Sequence, residues 1–177
     1  CGGSVAGKTV AALGLTFKPN TDDMRESPSL VVLPALVGAG ARVQAYDPEG
    51  MAEAAKLMPH LAYCTGAYEA MTGADALLIL TEWNEFRALD FARVRQLLRA
   101  PVVVDLRNIY SPQDMAAAGF VYTSIGRPTG FVATADEFAA TVERYAAAAG
   151  DHADLTPAGA ATAAFRDAVS RFQEAAR

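Results

Sequence analysis

The sequence predicts an α/β fold: a Rossmann-like, doubly wound, mainly parallel six-stranded sheet with helices on both faces. Three observations predict it. From residue 8 to about residue 125, short apolar runs alternate with helix-length segments across short turns, the pattern of βα units that build a parallel sheet covered on two sides. The runs themselves are almost uncharged, as in Val102-Val103-Val104, which suits strands buried on both faces. Charged and turn-forming residues collect directly after them, most densely in Gly14-Leu15-Thr16-Phe17-Lys18-Pro19-Asn20-Thr21-Asp22-Asp23-Met24-Arg25-Glu26-Ser27-Pro28. That is the edge at which open α/β sheets bind ligands.

Strands are expected near 8–14, 42–46, 61–64, 75–80, 101–105 and 120–124, and helices over roughly 28–38, 49–58, 66–72, 86–98 and 112–118. The first strand is Lys8-Thr9-Val10-Ala11-Ala12-Leu13. Ser27 then serves as an N-cap, with Pro28 at the first helical position. Pro34 falls inside this first helix, where it removes a bond to residue 30 and crowds that carbonyl at a cost of ~3 kcal/mol, so a kink near 30–34 is predicted. Gly38 and Gly40 end the helix, and Asp47-Pro48 ends the second strand and opens the second helix. After Gly126-Arg127-Pro128 the strands stop and alanine-rich helical sequence takes over. Residues 1–128 are therefore read as one α/β unit and 129–177 as a helical C-terminal extension. Within it, helices are expected over 134–149 and 158–176, the second with an apolar stripe of Ala161, Phe165, Val169 and Phe172 that suits a packed tail.

The composition narrows the function. At 177 residues and 52% hydrophobic, the chain is long enough for one full core. No uncharged apolar stretch approaches the ~18 residues that a membrane helix needs, and the first residues show no basic and apolar leader. No membrane partner is expected, and a cytoplasmic location is the default. A net charge of −5 argues against a nucleic-acid partner, whose binding rests on excess Lys and Arg. A local cationic pocket in an acidic protein suits a small anionic ligand instead. Two cysteines, Cys1 and Cys64, and two histidines, His60 and His152, give neither a disulfide framework nor metal-ligand spacing. No structural metal and no required disulfide are expected.

Four places deliver chemistry to the sheet edge. In the first loop, Lys18 offers a compact charge for a phosphate oxygen and Arg25 a planar fork for two; a solvated charged loop explains the same residues equally well. After the fifth strand, Asp105, Arg107 and Asn108 either bring Arg107 to a ligand or tie down a tight turn. After the fourth, Leu80-Thr81-Glu82-Trp83 carries the only tryptophan, expected to pack over the sheet rather than line a pocket. Asp47 ends the second strand where a dinucleotide fold places its ribose-binding acid, yet the turn after the first strand lacks G-x-G-x-x-G and carries bulky Phe17 and Lys18. Asp47 is therefore expected to cap a turn or helix. Cys1 has no partner to activate it and Cys64 reads as a small buried hydrophobe, so no catalytic residue is assigned.

With these residues in hand, the chain resembles the C-terminal, UDP-binding domain of the UDP-glucose 6-dehydrogenase family, part of the wider UDP-glucose/GDP-mannose dehydrogenases. The likeness runs from about Gly7 to Pro128. It rests on Gly7-Lys8-Thr9-Val10, the Gly14–Pro28 loop, Tyr46-Asp47-Pro48, Thr81-Glu82-Trp83 and Asp105-Leu106-Arg107-Asn108, five motifs in family order. The resemblance implies that Phe17 and Lys18 contact the UDP-sugar, with Lys18 at its phosphates, that Arg107 also binds substrate, and that Arg25 reaches NAD across a domain boundary. It further implies oxidation of UDP-glucose to UDP-glucuronate with two NAD and a catalytic cysteine, in an enzyme that pairs this domain with an N-terminal NAD-binding domain and forms a homodimer through a long helix. The family's Gly-Gly-Ser-Cys nucleophile segment is not matched by Cys1-Gly2-Gly3-Ser4, which reverses the cysteine's place. The sequence thus reads as a piece of such an enzyme, expected to bind the UDP-sugar and not to oxidise it alone. A stand-alone nucleotide-binding or regulatory module is the alternative, as is a sister enzyme acting on GDP-mannose or a UDP-N-acetylhexosamine.

Overall fold

Every residue of β1 (Thr9–Leu13) is buried, because an uncharged apolar run with a strand on either side has no solvent face. In the computed structural model, which describes residues 4–127, β1 pairs in parallel with β2 (Arg42–Tyr46) on one side and β4 (Ala76–Ile79) on the other. The six-stranded sheet continues outward through β3 (Ala62–Tyr63) at one edge, and through β5 (Val102–Asp105) and β6 (Val121–Ser124) at the other. The order is β3-β2-β1-β4-β5-β6 and all five pairings are parallel. The chain reverses direction of progress between β1 and β4, which is the topological switch point of a doubly wound sheet.

Alternation along the strands sends neighbouring side chains to opposite faces, so two cores form. Ala11 and Leu13 join Leu77, Ile79 and Val103 beneath α3 (Ala67–Met71), α4 (Asn84–Arg87), α5 (Phe91–Leu97) and α6 (Pro112–Ala117). Val10 and Ala12 join Val43, Ala45 and Leu78 beneath α1 (Ser29–Gly38) and α2 (Met51–Leu57). The expected fold and all six strands are present, each within a residue or two of its expected bounds.

Several local expectations are corrected. The single helix expected over 86–98 is two: α4 stops at Arg87, and Asp90 starts α5 by accepting from the backbone N–H groups of Ala92 and Arg93. An Asx cap wins over the continuous apolar pattern because it satisfies two otherwise unpaired donors. Ser27 does not act as the simple N-cap of α1, since its Oγ donates to the Leu15 carbonyl at 2.6 Å and Pro28 takes the cap position in α-helical geometry. The helix runs through Pro34 to Gly38. Gly40, at φ +89°, turns the chain out of it while the N–H of Ala41 returns to the Leu36 carbonyl. Cys64 is half-buried rather than buried. The helices expected over 134–149 and 158–176, and Cys1, lie outside the described residues.

Candidate functional site

Leu15 and Thr16 are fully buried, and they are where the loop after β1 is fastened. Both backbone N–H groups donate to Asp47 Oδ2, at 2.6 and 3.2 Å. The Leu15 carbonyl accepts from the hydroxyls of Ser27 and Ser29, at 2.6 and 2.5 Å. The Thr16 carbonyl accepts from Thr81 Oγ1 at 2.6 Å. Further along, Phe17 N–H donates to the Asp23 carbonyl and closes the loop on itself. With its root and its return so held, the loop turns Phe17 outward, 47% exposed, and exposes Lys18, which has no ion pair among the described residues. An unpartnered ammonium beside an exposed aromatic ring on a fixed backbone is what an anionic, ring-bearing ligand needs.

Asp47 is the fastening point for three segments. It is 1% exposed. Besides the two loop donors, its Oδ2 lies 3.2 Å from Thr16 Oγ1 and accepts from Trp83 Nε1 at 3.2 Å. Its Oδ1 accepts from the N–H groups of Glu49 and Gly50, at 3.0 and 2.7 Å. The expected turn-capping role is present, and a second role, gripping the β1 loop, is added to it. With its acceptor sites so taken, the carboxylate has little left for a ribose. At the switch point the β1 and β4 loops approach closely, and a Cβ on Gly14 would stand 2.6 Å from Thr81 N. The turn after β1 also lacks the G-x-G-x-x-G fingerprint that brings a pyrophosphate against the backbone.

Trp83 packs in the core, 7% exposed, as expected. Between Thr81 and Trp83, Glu82 points to the neighbouring loop and meets Arg107, with Nε 2.5 Å from Glu82 Oε2. That hydrogen bond holds the Glu82 carboxyl below its ordinary range and raises the already basic guanidinium. The Arg107 loop hangs from Asp105, fully buried, whose Oδ1 accepts from Arg107 N–H and whose Oδ2 accepts from the N–H groups of Ile109 and Tyr110 and from Tyr122 OH. Asn108 follows at φ +56° with its amide on the Ile125 carbonyl. Asp105 ties the turn, as one of the two readings expects, and the turn leaves the Arg107 side chain one-third exposed.

Arg25 is placed differently. Its side chain is 88% exposed, and Asp23 grips it at two points, Nε to Oδ1 at 2.9 Å and NH2 to Oδ2 at 2.7 Å. The grip holds the Asp23 carboxyl at about 2. Arg25 rims an open groove of about 710 Å³ between the loop and α2, with Asp23, Leu30, Glu53, Lys56 and Leu57. Of the four expected residues only Arg25 lines that groove; Phe17, Lys18 and Arg107 do not. No hydrogen bond or ion pair links Lys18 to Arg107 across β4. Cys64 carries a thiol pushed up by burial and by Glu69, the reverse of an activated nucleophile. Among the described residues, no three His, Cys, Asp or Glu side chains are placed to hold a metal, and no helix is long and apolar enough to cross a membrane. The sequence marks Thr81-Glu82-Trp83 as a motif but assigns no role to Thr81 or Glu82, whose partners lie 65 and 25 residues away.

Comparison with known proteins places these features. The model of the UDP-glucose/GDP-mannose dehydrogenase family, UDP binding domain, matches residues 11–112. The chain is 58% identical over 127 residues to the UDP-glucose 6-dehydrogenase of Rhizobium meliloti (strain 1021), covering 72% of this chain and 29% of that protein. With the UDP-glucose 6-dehydrogenase of Pseudomonas aeruginosa it shares 49% identity over 128 residues, 69% of this chain and 28% of that one. Among solved structures, a UDP-glucose dehydrogenase from the hyperthermophilic archaeon Pyrobaculum islandicum matches with a TM-score of 0.52 and 36% identity, over 58% of this chain and 22% of that chain. An NDP-N-acetyl-D-galactosaminuronic acid dehydrogenase from Methanosarcina mazei Go1 matches with a TM-score of 0.61 and 28% identity, over 71% and 26%. The chain thus spans less than a third of the length of these relatives.

Proposed function

The chain belongs to the UDP-glucose/GDP-mannose dehydrogenase family through its UDP binding domain, and from that premise we propose that it binds UDP-glucose or UDP-glucuronate at the carboxyl edge of the sheet. The observation that carries the proposal is the β1 loop, clamped at Leu15 and Thr16 from three sides while it holds out Phe17 and an unpartnered Lys18. Lys18 supplies charge to the diphosphate, Phe17 supplies a face to the ligand, and Arg107 contributes from the β5 loop. Preorganisation of this kind lowers the ordering cost of binding.

The same reading gives the chain a place in an NAD-dependent oxidation of UDP-glucose to UDP-glucuronate that consumes two NAD. The β1 turn lacks a dinucleotide fingerprint, so NAD would be held by an N-terminal NAD-binding domain, with Arg25 reaching it from the rim of the loop. The nucleophilic cysteine is likewise assigned to sequence other than these residues, and the 177-residue chain by itself binds without oxidising. Residues 1–128 form the UDP-sugar unit, 129–177 an appended extension, and the full enzyme a homodimer. UDP-glucose is preferred over other nucleotide sugars because the curated relatives sharing 58% and 49% identity bear that substrate's name, whereas the galactosaminuronate enzyme shares 28%.

Calorimetric titration tests this. Wild type should bind UDP-glucose and Lys18→Ala should bind it at least about tenfold more weakly, the loss of one charge-assisted contact. Equal affinity in the two proteins, or tighter binding of NAD than of UDP-glucose, overturns the proposal. A parallel titration with a UDP-N-acetylhexosamine and with GDP-mannose reads the sugar and base preference.

A further inference from the structure

Three consecutive side chains after β4 grip three different loops. Thr81 Oγ1 donates to the Thr16 carbonyl at 2.6 Å, next to Phe17 and Lys18. Trp83 Nε1 donates to Asp47 Oδ2 at 3.2 Å, at the end of β2. Between them Glu82 Oε2 accepts from Arg107 Nε at 2.5 Å, across to the β5 loop. Threonine and tryptophan are buried and fix the backbone of the segment, while Glu82 is part-exposed, its side chain 27% accessible.

The way Glu82 holds Arg107 differs from the way Asp23 holds Arg25. Asp23 occupies Nε and a terminal nitrogen together, so the forked face of Arg25 is taken by its own neighbour in sequence. Glu82 takes Nε alone, and neither terminal nitrogen of Arg107 has a hydrogen-bond partner among the described residues. Asp105 meanwhile fixes the backbone of Arg107 through its N–H. A guanidinium anchored at the backbone and at Nε keeps its terminal donors in one place, and such a group loses less freedom when an anion arrives.

We propose that Glu82 is the positioning residue of the anion site: it sets the Arg107 guanidinium so that the two terminal nitrogens face a bound diphosphate. This rests on the reading of Lys18 and Arg107 as UDP-sugar ligands. The opposing role for a carboxylate at this place is that of a counter-ion which competes with the ligand, and the two roles predict opposite signs. If Glu82 positions, removing its oxygen atoms weakens binding. If it competes, removing its charge strengthens binding.

The experiment uses the 177-residue chain and UDP as the probe. Glu82→Ala should bind UDP about tenfold more weakly than wild type. Glu82→Gln, whose amide oxygen still accepts from Nε, should stay within about threefold of wild type, since a neutral acceptor is the weaker one. In an Arg107→Ala background the further change Glu82→Ala should cost nothing, because the two side chains act as one unit. Binding by Glu82→Ala as tight as or tighter than wild type, or the same loss with Arg107 absent, overturns the proposal. The Arg107 Nε–H proton in a ¹⁵N spectrum supplies a readout that needs no ligand and no folded variant. It should be shifted and slow to exchange in wild type, and a signal indistinguishable from a free arginine overturns the positioning role whatever UDP does. Lys18→Ala binding UDP like wild type would sink the functional reading separately, leaving the proton signal to decide Glu82's hold. Absence of UDP binding by wild type overturns both.

Discussion

At the scale of single residues, the loops of this domain hang from its buried carboxylates. Asp47 satisfies backbone donors from two segments and an indole N–H, and no other acceptor stands ready to take them. Asp47→Ala should therefore lower stability by about 3–5 kcal/mol, because buried donors left unpaired cost more than the net worth of the bonds. Urea unfolding followed by Trp83 fluorescence checks this, since the indole touches the mutated group. Glu82 gives a pH signature of known sign. Its folded value lies below the ordinary value of 4.5 because Arg107 donates to it, so its contribution to stability is present above pH 4.5 and is lost as the pH falls through the lowered value. The stability difference between wild type and Glu82→Gln should then shrink when unfolding at pH 3 is compared with pH 7. Asp47 was legible as a turn cap from the Asp-Pro pair, but its grip on Leu15, 32 residues earlier, was not. A carboxylate's partners depend on which loops the sheet brings beside it.

At the scale of elements, a close approach to the β4 loop explains why the β1 loop takes its path. Gly14 sits at φ +86°, and an added Cβ would meet Thr81 Cβ and N at 2.6 Å and Thr81 Cα at 2.9 Å. Gly14→Ala is therefore strained in its backbone and in its packing, and should destabilise by about 2–4 kcal/mol. It should also weaken UDP binding, since the loop carrying Lys18 begins there; a melting curve together with a UDP titration reads both. Pro34 acts in the other direction. The helix α1 accommodates it at its sixth residue, and Pro34→Ala should raise stability by about 1 kcal/mol by restoring a donor in mid-helix, the gain partly offset by the freer unfolded chain. The strands were easy to place because apolar runs between Gly, Pro and Asp leave little choice. The α4–α5 break was harder, because apolar residues continue through it at Phe86, Leu89, Phe91 and Val94 while the Asp90 cap imposes the stop.

At the scale of the whole molecule, the sheet order gathers the loops after β1, β4 and β5 on one edge, with Lys18 and Arg107 on either side of the β4 loop that fastens both. The packing that does this also buries tyrosines. Burial, then the Asp105 hydrogen bond and charge, pushes Tyr122 up to about 12. Tyr110 is raised still further, chiefly by burial, and Tyr46 and Tyr63 are raised for the same first reason. Each folded value lies above the ordinary value of 10.0, so these groups favour the folded state fully below pH 10, and that advantage is lost as the pH rises from 10 towards 12 and the unfolded chain ionises first. Stability should fall over that range, which urea unfolding at pH 8 and at pH 11 checks. Tyr122→Phe should cost about 1 kcal/mol at neutral pH, by loss of the bond to Asp105.

What the sequence determined by itself was the alternation of strands and helices, the family and which cations the loops carry. Those follow from local pattern: hydrophobic period, turn chemistry and runs of motif residues are all written within a few positions of one another. What only the tertiary structure decided was the state of those cations. Arg25 is gripped at two nitrogens by its neighbour Asp23, whereas Arg107 is held at one nitrogen by a glutamate 25 residues away. The reason is physical: a guanidinium's availability depends on which acceptors surround it in space, and parallel strands bring together loops that the chain keeps far apart.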